Sequence, residues 1–291
     1  MITRVTNQTM MQGAQRSLQH NLARLAELQE KATSQKAISR PSDDPAAAGE
    51  ALRVRAEIRA NEQYGRNISN GEGWLSQLDN AMTTSKRALD RVNDLTLQGS
   101  NSSLPPAARE ALALDVESLR GELAAQANAT YAGRFLFAGN TDAPAALRED
   151  LTFAGGGAVE RRVGPGQSVR VDADGTDVFG SGPTSAFALL DTIAADLRAG
   201  RDVSVNLAPL QQRIQDLTNQ HSEIGTRHAR LLEAKDAAAD ASLALEGERA
   251  TVEDVDLASV ILDLKLQETA YQSALAVSAR VLQPSLMDFL R

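Results

Sequence analysis

Apolar residues recur at alternating spacings of three and four along most of the chain, and this pattern predicts long helices packed side by side. The longest run extends from Leu207 to Leu245. Four further runs extend from Met11 to Ala32, from Leu75 to Leu95, from Leu112 to Leu123 and from Leu257 to Leu282. The pattern therefore predicts a mainly α fold, an elongated bundle of long helices.

Residues that favour helix ends stand at the borders of these runs. Asp44 followed by Pro45 is typical of a helix start, because proline lacks only an amide hydrogen that would be unpaired there. Thr251 and Asp254 approximate a capping box for the last helix. Gly200 is placed to end a helix.

The pattern changes between about Arg134 and Gly182, where short apolar runs alternate with glycine-rich turns. Segments 159–163 and 168–171 flank the turn at Gly164, Pro165 and Gly166, which is typical of a β-hairpin. We expect a small β module inserted into a helical protein. The two chain ends are amphipathic and can lie together.

Composition excludes several functional classes. Apolar residues make up 42% of the chain but aromatic residues only 3%, which suits slim helix–helix seams. A net charge of −8 disfavours binding to nucleic acid or to an anionic membrane, and no apolar run is long enough to span a membrane. The N-terminus lacks secretory signal features, so we expect either a cytoplasmic protein or export by another route. The absence of cysteine excludes disulfides and thiolate chemistry.

Candidate chemical groups are few. His221 and His228 are seven residues apart on one helical face, about 10 Å along the axis, which is too far to share one metal ion. We interpret them as polar layers in a helix seam, and His20 stands alone. The glycines at 155–157 lack the following residues of a phosphate-binding loop. We therefore expect no catalytic residue, no cofactor and no metal site.

One charged segment allows two interpretations. Arginines alternate with glutamates at spacings of three and four, as on a salt-bridged helix face exposed to solvent. The alternative is a charged contact surface between subunits. The residues are Arg53, Arg55, Arg59 and Arg66 with Glu50, Glu57 and Glu62.

The apolar faces of the two predicted chain-end helices suggest an interface. An apolar face this continuous needs a partner, either the first helix of the same chain or other copies of the chain, and both can hold in turn. We expect the assembly interface at Leu18, Leu22, Leu25, Leu28, Leu257, Ile261, Leu264, Tyr271, Leu275, Leu282, Leu286 and Phe289.

Several segments resemble the bacterial flagellin superfamily. The most specific is the turn Arg40, Pro41, Ser42, Asp43, Asp44 and Pro45. The pattern continues through Tyr64, Asn67 and the 73–75 Gly-Trp-Leu segment, and resumes at 253–256. Flagellin has a Lys-Asp-Asp-Ala-Ala-Gly form at the turn, without Pro45, so the chain resembles the superfamily members at the hook–filament junction more than flagellin.

The resemblance implies a division into three domains. Residues 1–40 plus 255–291 would form a terminal paired-helix domain for assembly. Residues 41–138 plus 184–254 would form a helical bundle, and residues 139–183 a small β domain.

The resemblance also implies a secreted structural subunit of the flagellum, exported without a cleavable signal peptide. Its partners would be other copies in a ring, the other junction protein, flagellin and an export chaperone. Two rivals stay open. One is flagellin itself; the other is a hydrolase carried on a flagellar scaffold, which is weakened because residues 139–183 contain no histidine and no cysteine.

Overall fold

The fold is mainly α, as predicted. A computed structural model describes the backbone of residues 2–281 and the side chains of Thr9 and of residues 11–279. Within that range the helices are α1 (Ile2–Ser34), α2 (Pro45–Gly99), α3 (Pro106–Ala127), α4 (Gly175–Phe179), α5 (Ala186–Ala199), α6 (Leu207–Glu253) and α7 (Leu257–Val281). Short 3-10 turns at Gly182–Thr184 and Ser204–Asn206 precede α5 and α6.

The described part of the chain forms two compact units, 1–59 with 242–291 and 60–241. The segment 139–183 falls in the second unit. The division into three domains stays a prediction.

The helix ends show which local signals were correct. Asp44 Oδ1 accepts hydrogen bonds from the amides of Ala46 and Ala47 at 3.0 Å, so Asp44 caps α2. Gly200 ends α5 with a φ of 69°, a left-handed conformation that glycine adopts without strain.

The predicted capping box is wrong. Thr251 lies inside α6, which continues to Glu253, and its hydroxyl donates to the carbonyl of Gly247 at 2.9 Å. Asp256 caps α7 instead, because its Oδ1 accepts from the amide of Ala258 at 3.0 Å.

Two small antiparallel sheets belong to the 60–241 unit. Strands β1 (Thr130–Tyr131) and β2 (Arg134–Phe135) form one hairpin. The predicted hairpin forms from β3 (Glu160–Gly164) and β4 (Gln167–Arg170), with an irregularity between Arg162 and Gly164.

The core of this unit combines a helix seam with an aromatic cluster. Trp74, Leu75 and Leu78 on α2 are fully buried. Phe179 lies at the centre of the cluster, with its ring centroid 5.2 Å from that of Phe137 and 5.7 Å from those of Phe153 and Phe187. The low aromatic content is therefore concentrated where helices meet the β part, and aromatic packing stabilises that junction.

Side chains of α2 hold the β3–β4 hairpin. The Asn70 Oδ1 accepts from Arg161 Nε at 2.8 Å, and the Arg161 guanidinium lies 5.9 Å from the centre of the Trp74 ring. Asn67 Nδ2 donates to the carbonyl of Arg162 at 2.8 Å. Two positions quoted for the family resemblance, Asn67 and Trp74, thus have a structural role in docking the hairpin.

Candidate assembly interface

The chain-end helices α1 and α7 pack as an antiparallel pair in the 1–59 and 242–291 unit. Where α1 ends and α7 begins, Val255 N donates to the carbonyl of Gln35 at 3.2 Å. Farther along the pair, Gln267 Nε2 donates to the carbonyl of Asn21 at 3.1 Å. These two bonds fix the register of the pair.

The inner seam of the pair is thin. Among the side chains that the structure describes, Leu28 and Val260 are the large apolar residues buried in it. Leu18, Leu25, Leu257, Leu264 and Tyr271 are half-buried. Toward the start of α1 the seam is built from small side chains and leaves an open cavity of 310 Å³, lined by Ala14, Ser17, Ser273, Ala274, Val277 and Ser278.

Large apolar side chains are exposed on the flanks of this pair. More than half of the large hydrophobic residues exposed in the described region lie on α1 or α7: Met11, Leu22, Ile261, Leu262, Leu266, Leu275 and Val277. A concentration of exposed apolar side chains on one pair of helices is typical of a site of association. The packing of α1 on α7 leaves these side chains exposed.

The structure separates the predicted interface residues into three groups. Leu18, Leu25, Leu28, Leu257, Leu264 and Tyr271 are buried or half-buried. Leu22 and Ile261 are each 51% exposed and Leu275 is 43% exposed. Leu282, Leu286 and Phe289 lie outside the described residues.

Sequence reasoning did not select Leu262, Leu266 and Val277, which are each about 60% exposed (61%, 62% and 61%). Leu262 and Leu266 are four residues apart and therefore share a helix face. That spacing was the available signal for them. The two residues form a second apolar stripe beside the first one, and two stripes on one helix indicate more than one contact face on α7.

The family-like turn has a clear physical basis. Asp43 Oδ2 accepts from the amide of Arg40 and the amide of Asp43 donates to the carbonyl of Arg40, both at 3.0 Å. Asp44 then caps α2, which Pro45 begins. The motif directs the chain from α1 into α2, and all six of its residues are exposed.

Charged side chains join the start of α2 to the end of α6. Arg55 Nη2 donates to Glu253 Oε2 at 2.7 Å, and this hydrogen bond lowers the pKa of the Glu253 carboxyl below its usual 4.5. Arg53 bonds Glu50, Glu57 and also Glu248 of α6, which raises the pKa of its guanidinium. The prediction of a salt-bridged helix face therefore holds for Arg53 and Arg55. Among the described residues Arg59, Arg66 and Glu62 form no ion pair, and the role of the segment as a contact surface between subunits stays a prediction.

The histidine on α6 links two helices. His221 Nε2 lies 2.6 Å from Asp79 Oδ1 of α2, as expected for a polar layer in a seam. Among the described residues, no group of three or more His, Cys, Asp or Glu side chains is placed to bind a metal ion. None of the described helices has an apolar stretch of the length that a membrane span requires.

Comparisons with known proteins agree with this architecture. Residues 5–142 match the family model of the bacterial flagellin N-terminal helical region. The chain is 25% identical to flagellar hook-associated protein 3 of Escherichia coli over 93% of this chain and 94% of that protein. It is also 23% identical to a flagellar filament 30.7 kDa core protein of Treponema maltophilum, with 86% of each chain covered.

The fold has solved counterparts. A Vibrio parahaemolyticus protein described as a flagellar hook-associated protein superposes with a TM-score of 0.67 at 23% identity, and the match covers 73% of this chain and all of that one. The resemblance is therefore confirmed in sequence and in fold: the chain is like the bacterial flagellin superfamily, and over most of its length it is similar to flagellar hook-associated protein 3.

Proposed function

We propose that this chain is a structural subunit of the bacterial flagellum that joins the hook to the flagellin filament and assembles through its terminal helices. One observation carries the assembly part of the proposal: the α1–α7 pair exposes apolar flanks that it cannot bury itself. The similarity to hook-associated protein 3 over 93% of the chain supports the location.

The energetics favour assembly through these flanks. Burying a leucine side chain contributes about 1.5–3 kcal/mol before the cost of ordering. Leu22, Leu262 and Leu266 are each more than half exposed, so neighbouring copies can bury them. The thin inner seam stabilises an isolated pair only weakly, so contacts with neighbours would complete its folding.

The proposed partners follow from a location between the hook and the filament. Other copies would form a ring, hook-associated protein 1 would bind below it, and flagellin would add above it. A flagellar export chaperone would hold the chain before assembly. The subunit would act outside the cell by geometry alone, with no enzymatic step.

The rival function is that of the flagellin filament subunit, and the similarity to the Treponema filament protein favours it. Seeded polymerisation followed by electron microscopy separates the two. If the chain is a junction protein, it will add a short layer to isolated hook ends that carry hook-associated protein 1, and it will not extend its own seeds. Growth of long filaments from its own seeds would overturn the proposal.

A further inference from the structure

A small groove lies in the 1–59 and 242–291 unit, beside the family-like turn. Its volume is 240 Å³. Ile38, Pro41, Ala51 and Leu52 supply apolar walls, and Leu52 is 62% exposed. Since a cavity of ~150 Å³ accommodates benzene in another protein, this groove has room for one leucine side chain.

The rim of the groove is positively charged. Lys36, Arg40 and Arg55 line it, against the single carboxylate of Glu253, which Arg55 already binds. Among the described residues, the side chains of Lys36 and Arg40 make no ion pair within 4.0 Å. A complementary ligand would therefore carry an apolar group next to one or two carboxylates.

A surface of that chemistry is exposed on α6. Leu232, Asp236, Asp240 and Leu243 follow at spacings of four, four and three residues, so they share one helix face. Leu243 is 76% exposed, and it is the most exposed large hydrophobic residue in the described range. Within that range neither Asp236 nor Asp240 forms an ion pair, so both carboxylates are available.

The two surfaces of one copy cannot meet. Leu243 and Glu253, which lines the groove, are both on α6 and ten residues apart, about 15 Å along the axis. A groove that receives Leu243 therefore has to belong to another copy. Such a contact uses different patches on the two partners, and repetition of it closes a ring or extends a helix.

We propose that in the assembly Leu243 of one copy occupies this groove of the next copy, with Asp240 facing Lys36 and Arg40. The inference rests on the proposed function, because it names the contact between neighbouring copies in the ring. Leu243 supplies apolar burial, and the charges select the correct partner surface.

Charge reversal tests the contact on isolated hook ends that carry hook-associated protein 1. Arg40→Glu and Asp240→Arg should each reduce the amount of chain bound about tenfold, because like charges then meet at the rim. The double variant Arg40→Glu with Asp240→Arg restores opposite charges and should recover binding. Arg40 joins its turn through backbone atoms only, so the substitution leaves that turn intact. Arg91→Glu reverses an exposed charge on α2 and should bind as the natural chain does.

Cross-linking gives an independent readout, because the chain contains no cysteine. A Leu52→Cys, Leu243→Cys variant should form intermolecular disulfides on hook ends, whereas Leu52→Cys with Leu114→Cys should not. Binding of both single charge variants at the natural level, or no recovery in the double variant, would overturn the contact while the junction function stands. No binding of the natural chain to hook ends would overturn the junction function itself, and this contact with it.

Discussion

Arg55 and Glu253 form a salt bridge that ties the start of α2 to the end of α6. The Glu253 carboxylate is only 6% exposed, whereas Arg55 is 43% exposed. The main-chain carbonyl of Glu253 also accepts from the amide of Ala37 at 2.8 Å, in the segment that follows α1. One residue thus connects three segments of the unit that contains both chain ends.

Removing this carboxylate charge should destabilise the unit. We expect Glu253→Gln to lower the free energy of unfolding by about 1–2 kcal/mol, since it weakens a charge-assisted hydrogen bond whose arginine is still partly screened by water. Urea unfolding followed by circular dichroism measures the change. Glu248→Gln, which removes an exposed partner of Arg53 on the same helix, is the control and should change stability little. Equal effects of the two variants would contradict the special role of Glu253.

The same pair makes stability depend on pH. The pKa of Glu253 lies below its usual 4.5 in the folded chain, because Arg55 binds the ionised form. Its contribution is therefore fully present above pH 4.5 and is lost as the pH falls below 4.5 through the lowered pKa. The stability difference between the natural chain and Glu253→Gln should shrink over that acidic interval. A difference that stays constant down to pH 3 in urea titrations would refute the assignment.

Local rules predicted the helix ends that depend on one or two residues. Asp44 and Gly200 are correct because a cap needs only a side chain or a backbone conformation within one turn. The box at Thr251 failed for a tertiary reason. The helix α6 continues through the predicted boundary to Glu253, whose carboxylate binds Arg55 of another helix, a contact that local rules do not contain.

The contact face of α7 was harder to predict than the existence of the helix. Leu257, Leu264 and Tyr271 of the predicted stripe are half-buried in the seam, whereas Ile261 and Leu275 of the same stripe are exposed. The seam instead continues through Val260 and the half-buried Gln267 and Ala274. A segment with apolar residues on several faces fits more than one stripe. Only the partner helix, here through the Gln267 bond to Asn21, selects one of them.

Gly73 leaves space for an aromatic side chain. A Cβ atom at this position would lie 2.5 Å from Cζ of Tyr131, whose ring packs edge-on against Trp74 at 5.8 Å. Because the ring is rigid and packed, Gly73→Ala should lower the free energy of unfolding by about 1–3 kcal/mol. Chemical denaturation measures it, with Trp74 fluorescence as the probe.

The control for this prediction is another glycine in the same helix. A Cβ at Gly65 meets no atom within 4 Å, so Gly65→Ala should stabilise the helix by about 0.5–1 kcal/mol. Adding Tyr131→Phe to Gly73→Ala removes the hydroxyl and should recover part of the lost stability. If Gly73→Ala is as stable as Gly65→Ala, Tyr131 does not restrict the position.

An aspartate introduced on the exposed face of α7 should have a different effect from one introduced on its half-buried face. Leu266 is 62% exposed, whereas Leu264 is half-buried in the described chain. Leu266→Asp should leave the isolated chain as stable as before but prevent its incorporation at hook ends, because the carboxylate would have to be desolvated between copies. Leu264→Asp should also prevent incorporation and, in addition, loosen the α1–α7 pair. The loosening would be measured as faster proteolysis of the terminal helices with the 60–241 unit intact.

Leu114→Asp on α3, at a site 54% exposed, is the matched control and should incorporate normally. Normal incorporation of Leu266→Asp would show that the exposed flank of α7 is not an assembly surface.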